Sequence, residues 1–374
     1  MRLVPVECVR EGSFLAKTIF DDNNRVLLRE GVKLTQNLIR GIKNIGIYTI
    51  YINDEYSESI VEDIVKPELR QKAVKAIKDT FCGLGRSNDN YYSMERSSSK
   101  KENINQKHDS FESISDIANE IIEQVLDKKN VLVGLVDIKS LDNYTYQHCV
   151  NVAILSLILG IKLELGRTEL YNLCMGALVH DIGKILIPKE IIQKKGPLTK
   201  EEYEIVKKHC EKGYEYLAGS IDISSPSRII VLEHHEKVDG SGYPDHRKGD
   251  EINKLARIVA IADVYDALTS DRPYRRALSP NEAVEYVMAG GQRLFDYKMV
   301  KTFSKTIIPY PEGTLVKLSN GKIGCVERIV PDYLLRPVVR IIDTENKKKG
   351  LECIDLTKNL NVVIEGIVYN AVST

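Results

Sequence analysis

The pattern of apolar and polar positions divides this 374-residue chain into three parts. The first fifty residues switch between short strand-like runs and turn-forming residues, with one short helical pattern between Thr35 and Gly46. Apolar residues recur at helical spacing from about 111 to 304, and strand-like runs then alternate with Gly, Asn and Asp turns. The pattern therefore predicts a multidomain, mainly α protein, in which an all-α helix bundle lies between a small α+β N-terminal module and a small β-rich C-terminal module.

The same pattern predicts where the domains begin and end. We expect the α+β module and a polar helix over 1–82, a flexible linker over 83–110, the helical domain over 111–308 and the β module over 309–374. The linker is predicted because the segment after Cys82 has too few apolar side chains to offset the entropy that ordering it would cost. Capping boxes at Thr199 and Ser279 mark two helix starts.

Charge and cysteine content narrow the class of protein. The 53 basic and 53 acidic residues leave no net charge, so we expect no polymeric nucleic acid and no anionic membrane as a partner. A local cluster must therefore bind any anionic ligand. The seven cysteines are scattered without a CxxC pair, and no signal-peptide pattern is present, so we expect free thiols and a cytoplasmic protein.

Histidines are concentrated in the helical segment, where six of the seven lie between His148 and His246. His180-Asp181 and His234-His235 each end an apolar helical pattern. Imidazoles and carboxylates without thiolates suit iron, manganese or catalytic zinc, so we expect a two-metal site in the bundle core.

Other residues in the same segments are expected to take no part in this site. Cys149 and Cys210 adjoin candidate ligands, but on an ideal helix the one-residue offset turns them away, so we expect them to pack. His246 is expected at the surface, and His108 is assigned no role.

Three motifs resemble those of the HD-GYP family: HDIGK at 180–184, HHEKVDGSGYP at 234–244 and IADVYDALTSDRPYR at 261–275. The resemblance covers about residues 111 to 304 and implies a metal-dependent phosphodiesterase that hydrolyses cyclic di-GMP to pGpG and in some members on to GMP. It also implies seven metal ligands: His148, His180, Asp181, His209, His234, His235 and Asp263. The GYP loop of the family has been proposed to contact diguanylate cyclase (GGDEF) domains.

One position departs from part of the family. Some members have a glutamate four residues before the first histidine ligand, where it helps to hold a third ion, and this chain has Tyr144 there. We therefore expect two divalent ions, iron or manganese.

The chemistry of phosphodiester hydrolysis assigns roles to further residues. Two ions about 3.5–4 Å apart lower the pKa of a bridging water, so that a hydroxide attacks the phosphorus at neutral pH. Asp181 would bridge the ions, and Lys184 would contact the phosphate or protonate the leaving oxygen. We expect substrate contacts from Lys184 and five further residues: Asp266, Arg272, Arg275, Gly242 and Tyr243.

Two alternatives and one question stay open at this point. The chain could bind cyclic di-GMP as a sensor with weak or no turnover, or it could hydrolyse another cyclic dinucleotide. Whether it forms a homodimer is also open.

Overall fold

The computed structural model describes residues 1–21, 25–57, 63–91, 100–128, 144–194, 196–270, 277–343 and 348–369. Sequence predictions that fall between these ranges lie outside the described residues.

The N-terminal module is α+β, as the sequence predicts. Its elements are β1 Arg2–Pro5, β2 Phe14–Leu15, β3 Ile19–Phe20, β4 Val26–Leu28, α1 Gln36–Asn44 and β5 Thr49–Asn53. Strands β1, β5 and β2 form an antiparallel sheet in that order, and β3 pairs with β4. Thr35 caps α1 by accepting a hydrogen bond from the Leu38 N–H. Buried Ile39 and Ile42 then pack against Val4 and Ile50 of the sheet.

The middle of the chain is helical. Its helices are α2 Pro67–Tyr91, α3 Lys100–Asp127, α4 Tyr144–Lys162, α5 Arg167–Val179, α6 Lys189–Ile192, α7 Lys200–Lys207, α8 His209–Leu217, α9 Ser225–Glu233, α10 Lys254–Leu268, α11 Pro280–Ala289 and α12 Tyr297–Ser304. Short 3-10 helices cover Ile182–Leu186 and Gly249–Glu251. The predicted capping box at Thr199 is present, since Thr199 and Glu202 each accept a hydrogen bond from the other's backbone N–H.

Helices α4, α5 and α10 lie at the centre of this domain, and most of their apolar residues are buried in one core. Helix α4 is long and apolar enough to cross a membrane by length and composition, but 72% of its apolar window is buried inside the protein. We therefore describe α4 as a core helix.

The structure assigns helix to both ends of the segment 83–110, which the sequence predicts to be a flexible linker. Helix α2 continues to Tyr91 and α3 begins at Lys100, while residues 92–99 lie outside the described part of the chain. Buried Phe81 and Phe111 anchor the two helices, and Lys, Glu and Gln within the polar segment have good helix propensity. Leu69 and Phe81 of α2 also belong to the core of the helical domain, so α2 packs with that domain rather than with the N-terminal sheet.

The C-terminal module is a β unit, as the sequence predicts. Its strands are β6 Leu315–Leu318, β7 Ile323–Arg328, β8 Val338–Asp343, β9 Lys348–Asp355 and β10 Ile364–Ile367. They form an antiparallel sheet in the order β10-β6-β7-β8-β9. Tyr56 of the N-terminal part packs against Leu315 and Cys325, and Tyr369 packs on the N-terminal core, so the first and last modules contact each other.

Candidate metal centre

Five α-helices and one 3-10 helix bring the seven predicted ligands into one place in the core. Each lies where its helix begins, ends or crosses the centre: His148 in the second turn of α4, His180 at the end of α5, Asp181 at the start of the first 3-10 helix, His209 as the first residue of α8, His234 and His235 after α9, and Asp263 in α10. His235 has the most exposed side chain, at 22%, and those of the other six are at most 10% exposed. The helix starts and ends thus point their polar groups at a common centre.

Asp181 lies between two groups of imidazoles. Its Oδ2 is 3.5 Å from His180 Nε2 and 3.9 Å from His148 Nε2, and its Oδ1 is 3.6 Å from His209 Nε2. The two oxygens of one carboxylate therefore face different sets of nitrogen donors, which is the placement that a carboxylate bridging two ions requires.

Three of the imidazole rings are each held in one tautomer by a backbone carbonyl three residues earlier in the chain. A carbonyl oxygen can only accept, so each ring must donate from Nδ1 and keep a lone pair on Nε2. The Nδ1–H of His180 donates to the Ala177 carbonyl oxygen at 2.8 Å, that of His209 donates to the Val206 carbonyl oxygen at 2.7 Å, and that of His234 donates to the Val231 carbonyl oxygen at 3.0 Å. Burial lowers the pKa of all three rings, that of His209 to about 4, so they stay neutral. A neutral imidazole with a free Nε2 is the form that binds a metal ion.

The directions of these lone pairs fit divalent cations. His209 Nε2 and His234 Nε2 face each other at 3.4 Å, and two lone pairs at that distance repel unless a cation lies beside them. His180 Nε2 and Asp181 Oδ1 are buried without a hydrogen-bond partner. Unsatisfied buried polar atoms are rare in folded proteins, and a metal ion would satisfy these four.

His148 is held between two carboxylates. Its Nδ1 lies 2.6 Å from Asp266 Oδ2 and its Nε2 lies 3.0 Å from Asp263 Oδ1. Burial would lower the pKa of His148, but Tyr144 and these two carboxylates outweigh it and raise the pKa to about 10. Asn151, one turn further along α4, donates to Asp266 Oδ1 at 3.1 Å and so fixes that carboxylate. A proton and a metal ion therefore compete for Nε2 of His148.

Lys184 is the cation next to Asp181. Its Nζ donates to Asp181 Oδ2 at 2.6 Å, and its side chain is 30% exposed. Burial alone would raise the pKa of Asp181, but Lys184 outweighs it and holds this pKa well below its usual range. Burial would lower the pKa of Lys184, but the attraction of Asp181 outweighs the effect of burial and raises the pKa of Lys184. The pair is thus ionised.

Two glycines allow the close backbone contacts that shape the site. A Cβ on Gly183, the glycine of HDIGK, would lie 1.9 Å from the His209 carbonyl oxygen, so only glycine lets the 3-10 helix lie against α8. A Cβ on Gly242 would lie 2.3 Å from the Lys237 nitrogen. Gly242 therefore packs the GYP loop against the chain that follows His235, and its own contact with substrate stays a prediction.

The GYP loop places an aromatic ring over the centre. The Tyr243 ring lies 4.8 Å from the His235 ring and 6.4 Å from the His209 ring, measured between centroids. Glu236 fixes the end of the loop, because its Oε1 accepts from the Asp245 N–H at 2.7 Å. Tyr243 thus covers the His209 and His235 side of the centre and is partly accessible.

The expectation that Cys149 and Cys210 turn away from the ligands is wrong. One donor atom each from Cys210, His209, His234 and His235 lie within 4.8 Å of one another, and Cys149 forms a similar group with His180 and Asp181. Cys210 reaches the imidazoles from the first turn of α8, which His209 opens. Cys149 lies within α4 and meets His180 and Asp181, which come from other elements. The predicted site therefore lacks two thiols that the structure places beside it.

The predicted substrate contacts of Arg272, Arg275 and Asp266 have different outcomes. Arg272 and Arg275 lie outside the described residues, so their phosphate contacts stay predictions. Asp266 is 4% exposed and directed at His148, which favours a role in positioning that ring over contact with substrate. The sequence reasoning missed Asn151, whose position three residues after His148 on the same helix face was the available signal.

Two protein families match parts of this chain. Residues 121–299 match the HD domain family, and residues 315–371 match a family described as a KOW domain associated with HD domain. The chain is 38% identical over 234 residues to a cyclic di-GMP phosphodiesterase of Pseudomonas aeruginosa, covering 63% of this chain and 56% of that protein. It therefore spans just over half the length of this relative.

Two further matches extend the comparison. The 3'3'-cGAMP-specific phosphodiesterase 1 of Vibrio cholerae is 37% identical over 163 residues, which cover 44% of this chain and 37% of that protein. Among solved structures, an HDG"Y"P protein from Bdellovibrio bacteriovorus aligns over 81% of this chain and 98% of its own, with 17% identity and a TM-score of 0.48.

Proposed function

Because residues 121–299 match the HD domain family and carry motifs that resemble those of the HD-GYP family, we propose that this chain hydrolyses cyclic di-GMP to pGpG. The observation that carries the proposal is the position of Asp181, whose two oxygens face separate sets of imidazoles. The relatives named as phosphodiesterases of cyclic dinucleotides support the same substrate class.

The donor set defines which residues would hold the ions. His148, His180 and Asp263 form one group, His209, His234 and His235 form the other, and Asp181 lies between them. Divalent ions bound there would supply activated water and neutralise charge on the phosphate oxygens. We propose two ions per chain and iron or manganese as their identity.

Lys184 and Tyr243 border the centre from the accessible side. The Lys184 ammonium donates to Asp181, and the side chain is partly exposed, so the ammonium can donate to an oxygen of a phosphate placed beside that carboxylate. Tyr243 offers an aromatic face next to His235, which suits contact with a nucleotide. We propose that Arg272 and Arg275 bind the phosphate oxygens that Lys184 does not reach.

We propose that position 144 limits the extent of hydrolysis. Tyr144 stacks on the His148 ring, with 5.6 Å between centroids and 9° between planes. This position holds an aromatic ring where a third-ion glutamate would lie, so we propose that the reaction stops mainly at pGpG.

Partners and location remain proposals of the same kind. We propose a cytoplasmic protein, since the seven cysteines, all within the described residues, form no disulfide there. Contact with GGDEF domains would use the GYP loop around Tyr243, and a homodimer is the oligomer to test.

A second substrate is favoured by a specific observation. The Vibrio cholerae relative is named as specific for 3'3'-cGAMP, so the fold of residues 121–299 is compatible with another cyclic dinucleotide. Comparing turnover of cyclic di-GMP and 3'3'-cGAMP under the same conditions decides between the two substrates.

The test uses purified chain loaded with iron or manganese and chromatographic detection of products. Wild type should convert cyclic di-GMP to pGpG, and Asp181→Ala should lose both metal and turnover. Arg272→Ala should raise KM without loss of metal. Asp250→Asn, which changes a carboxylate on an exposed side chain, is the matched control and should behave as wild type. Full metal occupancy with binding but no turnover would contradict the proposal and leave the sensor function.

A further inference from the structure

Cys210 is fully buried beside three imidazoles of the candidate centre. It is the second residue of α8, and its Sγ lies 3.5 Å from His209 Nε2. One donor atom each from Cys210, His209, His234 and His235 lie within 4.8 Å of one another. The thiol therefore belongs to a set of four donors that a single ion could contact.

The nitrogen atoms of this set are arranged for a cation. His209 and His234 each donate Nδ1–H to a carbonyl of their own chain segment, so their Nε2 lone pairs face each other at 3.4 Å. Two facing lone pairs repel unless a positive charge or a hydrogen-bond donor lies beside them, so the two nitrogens favour a bound cation.

Burial alone does not explain the position of the Cys210 thiol. Cys174 is equally buried, yet it lies within α5, and the acceptor within reach of its Sγ is the Ala118 carbonyl oxygen at 3.9 Å. Cys174 thus shows how a thiol packs in this core when no imidazole faces it, and it serves as a matched control.

We propose that Cys210 Sγ is a metal ligand, acting with His209, His234 and His235. The thiol proton leaves to solvent when the ion binds. One sulfur among nitrogen donors favours zinc, iron or cobalt over manganese, because a soft thiolate suits the former ions better than the latter. The inference rests on the metal-dependent function proposed above, but its test measures the metal rather than the reaction.

Cobalt substitution gives a direct spectroscopic test on the full chain. A cobalt–thiolate bond produces a charge-transfer band in the near ultraviolet, whereas cobalt bound by nitrogen and oxygen alone does not. We expect this band in wild type, in Cys174→Ser and in Cys149→Ser, and we expect its loss in Cys210→Ser with cobalt still bound. Zinc affinity of Cys210→Ser should fall by about tenfold or more, and manganese affinity should fall less.

Several results would overturn the inference. A wild-type protein filled with cobalt but without the band would do so, as would a band that persists in Cys210→Ser or that disappears only in Cys149→Ser.

X-ray absorption of the zinc-loaded wild type keeps the test valid if Cys210→Ser fails to fold. It should show a sulfur neighbour at about 2.3 Å, and only nitrogen and oxygen neighbours would refute the proposal.

The two proposals can fail separately. Turnover of cyclic di-GMP without a sulfur signature would remove Cys210 from the ligands and leave the phosphodiesterase in place. A sulfur signature without turnover would do the reverse.

Discussion

Replacing Asp266 by asparagine tests whether this carboxylate acts on the metal centre through His148. The Asp266 side chain is buried and accepts from His148 Nδ1 at 2.6 Å and from Asn151 at 3.1 Å. Asparagine keeps the shape but removes the charge that orients the ring. A hydrogen bond to a charged group contributes about 1.5–3 kcal/mol. Loss of the partner behind a metal-binding histidine typically lowers metal affinity by about 10–100-fold.

The assay is competition with a chelator of known affinity, followed by steady-state kinetics at saturating metal. Asp266→Asn should bind metal about 10–100-fold more weakly than wild type while keeping its KM for cyclic di-GMP. Asp250→Asn removes an exposed carboxylate whose ion pair with Arg257 contributes about 0–1 kcal/mol, and it should leave both values unchanged. Unchanged metal affinity with a higher KM would refute the positioning role and restore Asp266 as a substrate contact.

Three more substitutions follow from the same geometry. Gly183→Ala should lower the free energy of unfolding by about 1–3 kcal/mol, because its Cβ would meet the His209 carbonyl oxygen. Gly219→Ala is the control, since a Cβ there meets nothing within 4 Å. A lower melting temperature for Gly183→Ala than for Gly219→Ala would confirm this, and equal melting temperatures would contradict it. Lys184→Ala should lower kcat by about 100–1000-fold with unchanged metal content by elemental analysis, and loss of metal would show that the lysine supports the ligands instead. Tyr144→Glu should raise the metal content from two ions to three and increase GMP among the products, while three ions in wild type would contradict the argument from position 144.

Much of the candidate site was predictable because four of its seven predicted ligands lie at helix ends that the sequence marks. His180-Asp181 and His234-His235 each follow an apolar run, and the structure ends α5 and α9 there. Asp263 stood out as a carboxylate in an apolar helix, and it contacts His148 as such a group requires.

The errors came from features that depend on tertiary packing. Cys210 was expected to turn away, but α8 begins at His209 and the thiol faces the same imidazoles. The segment 83–110 was expected to be a linker because its own side chains bury little. Its helices are instead continued from Phe81 and Phe111, which are buried in the core of the helical domain. Composition within a segment does not reveal such anchors outside it.

The most direct test is metal titration of chelator-treated protein, with bound metal and product measured in the same samples. Formation of pGpG should be absent without metal, should rise as iron or manganese is restored and should level off at two ions per chain. Chain that holds two ions and binds cyclic di-GMP but forms no pGpG would contradict the proposed hydrolysis.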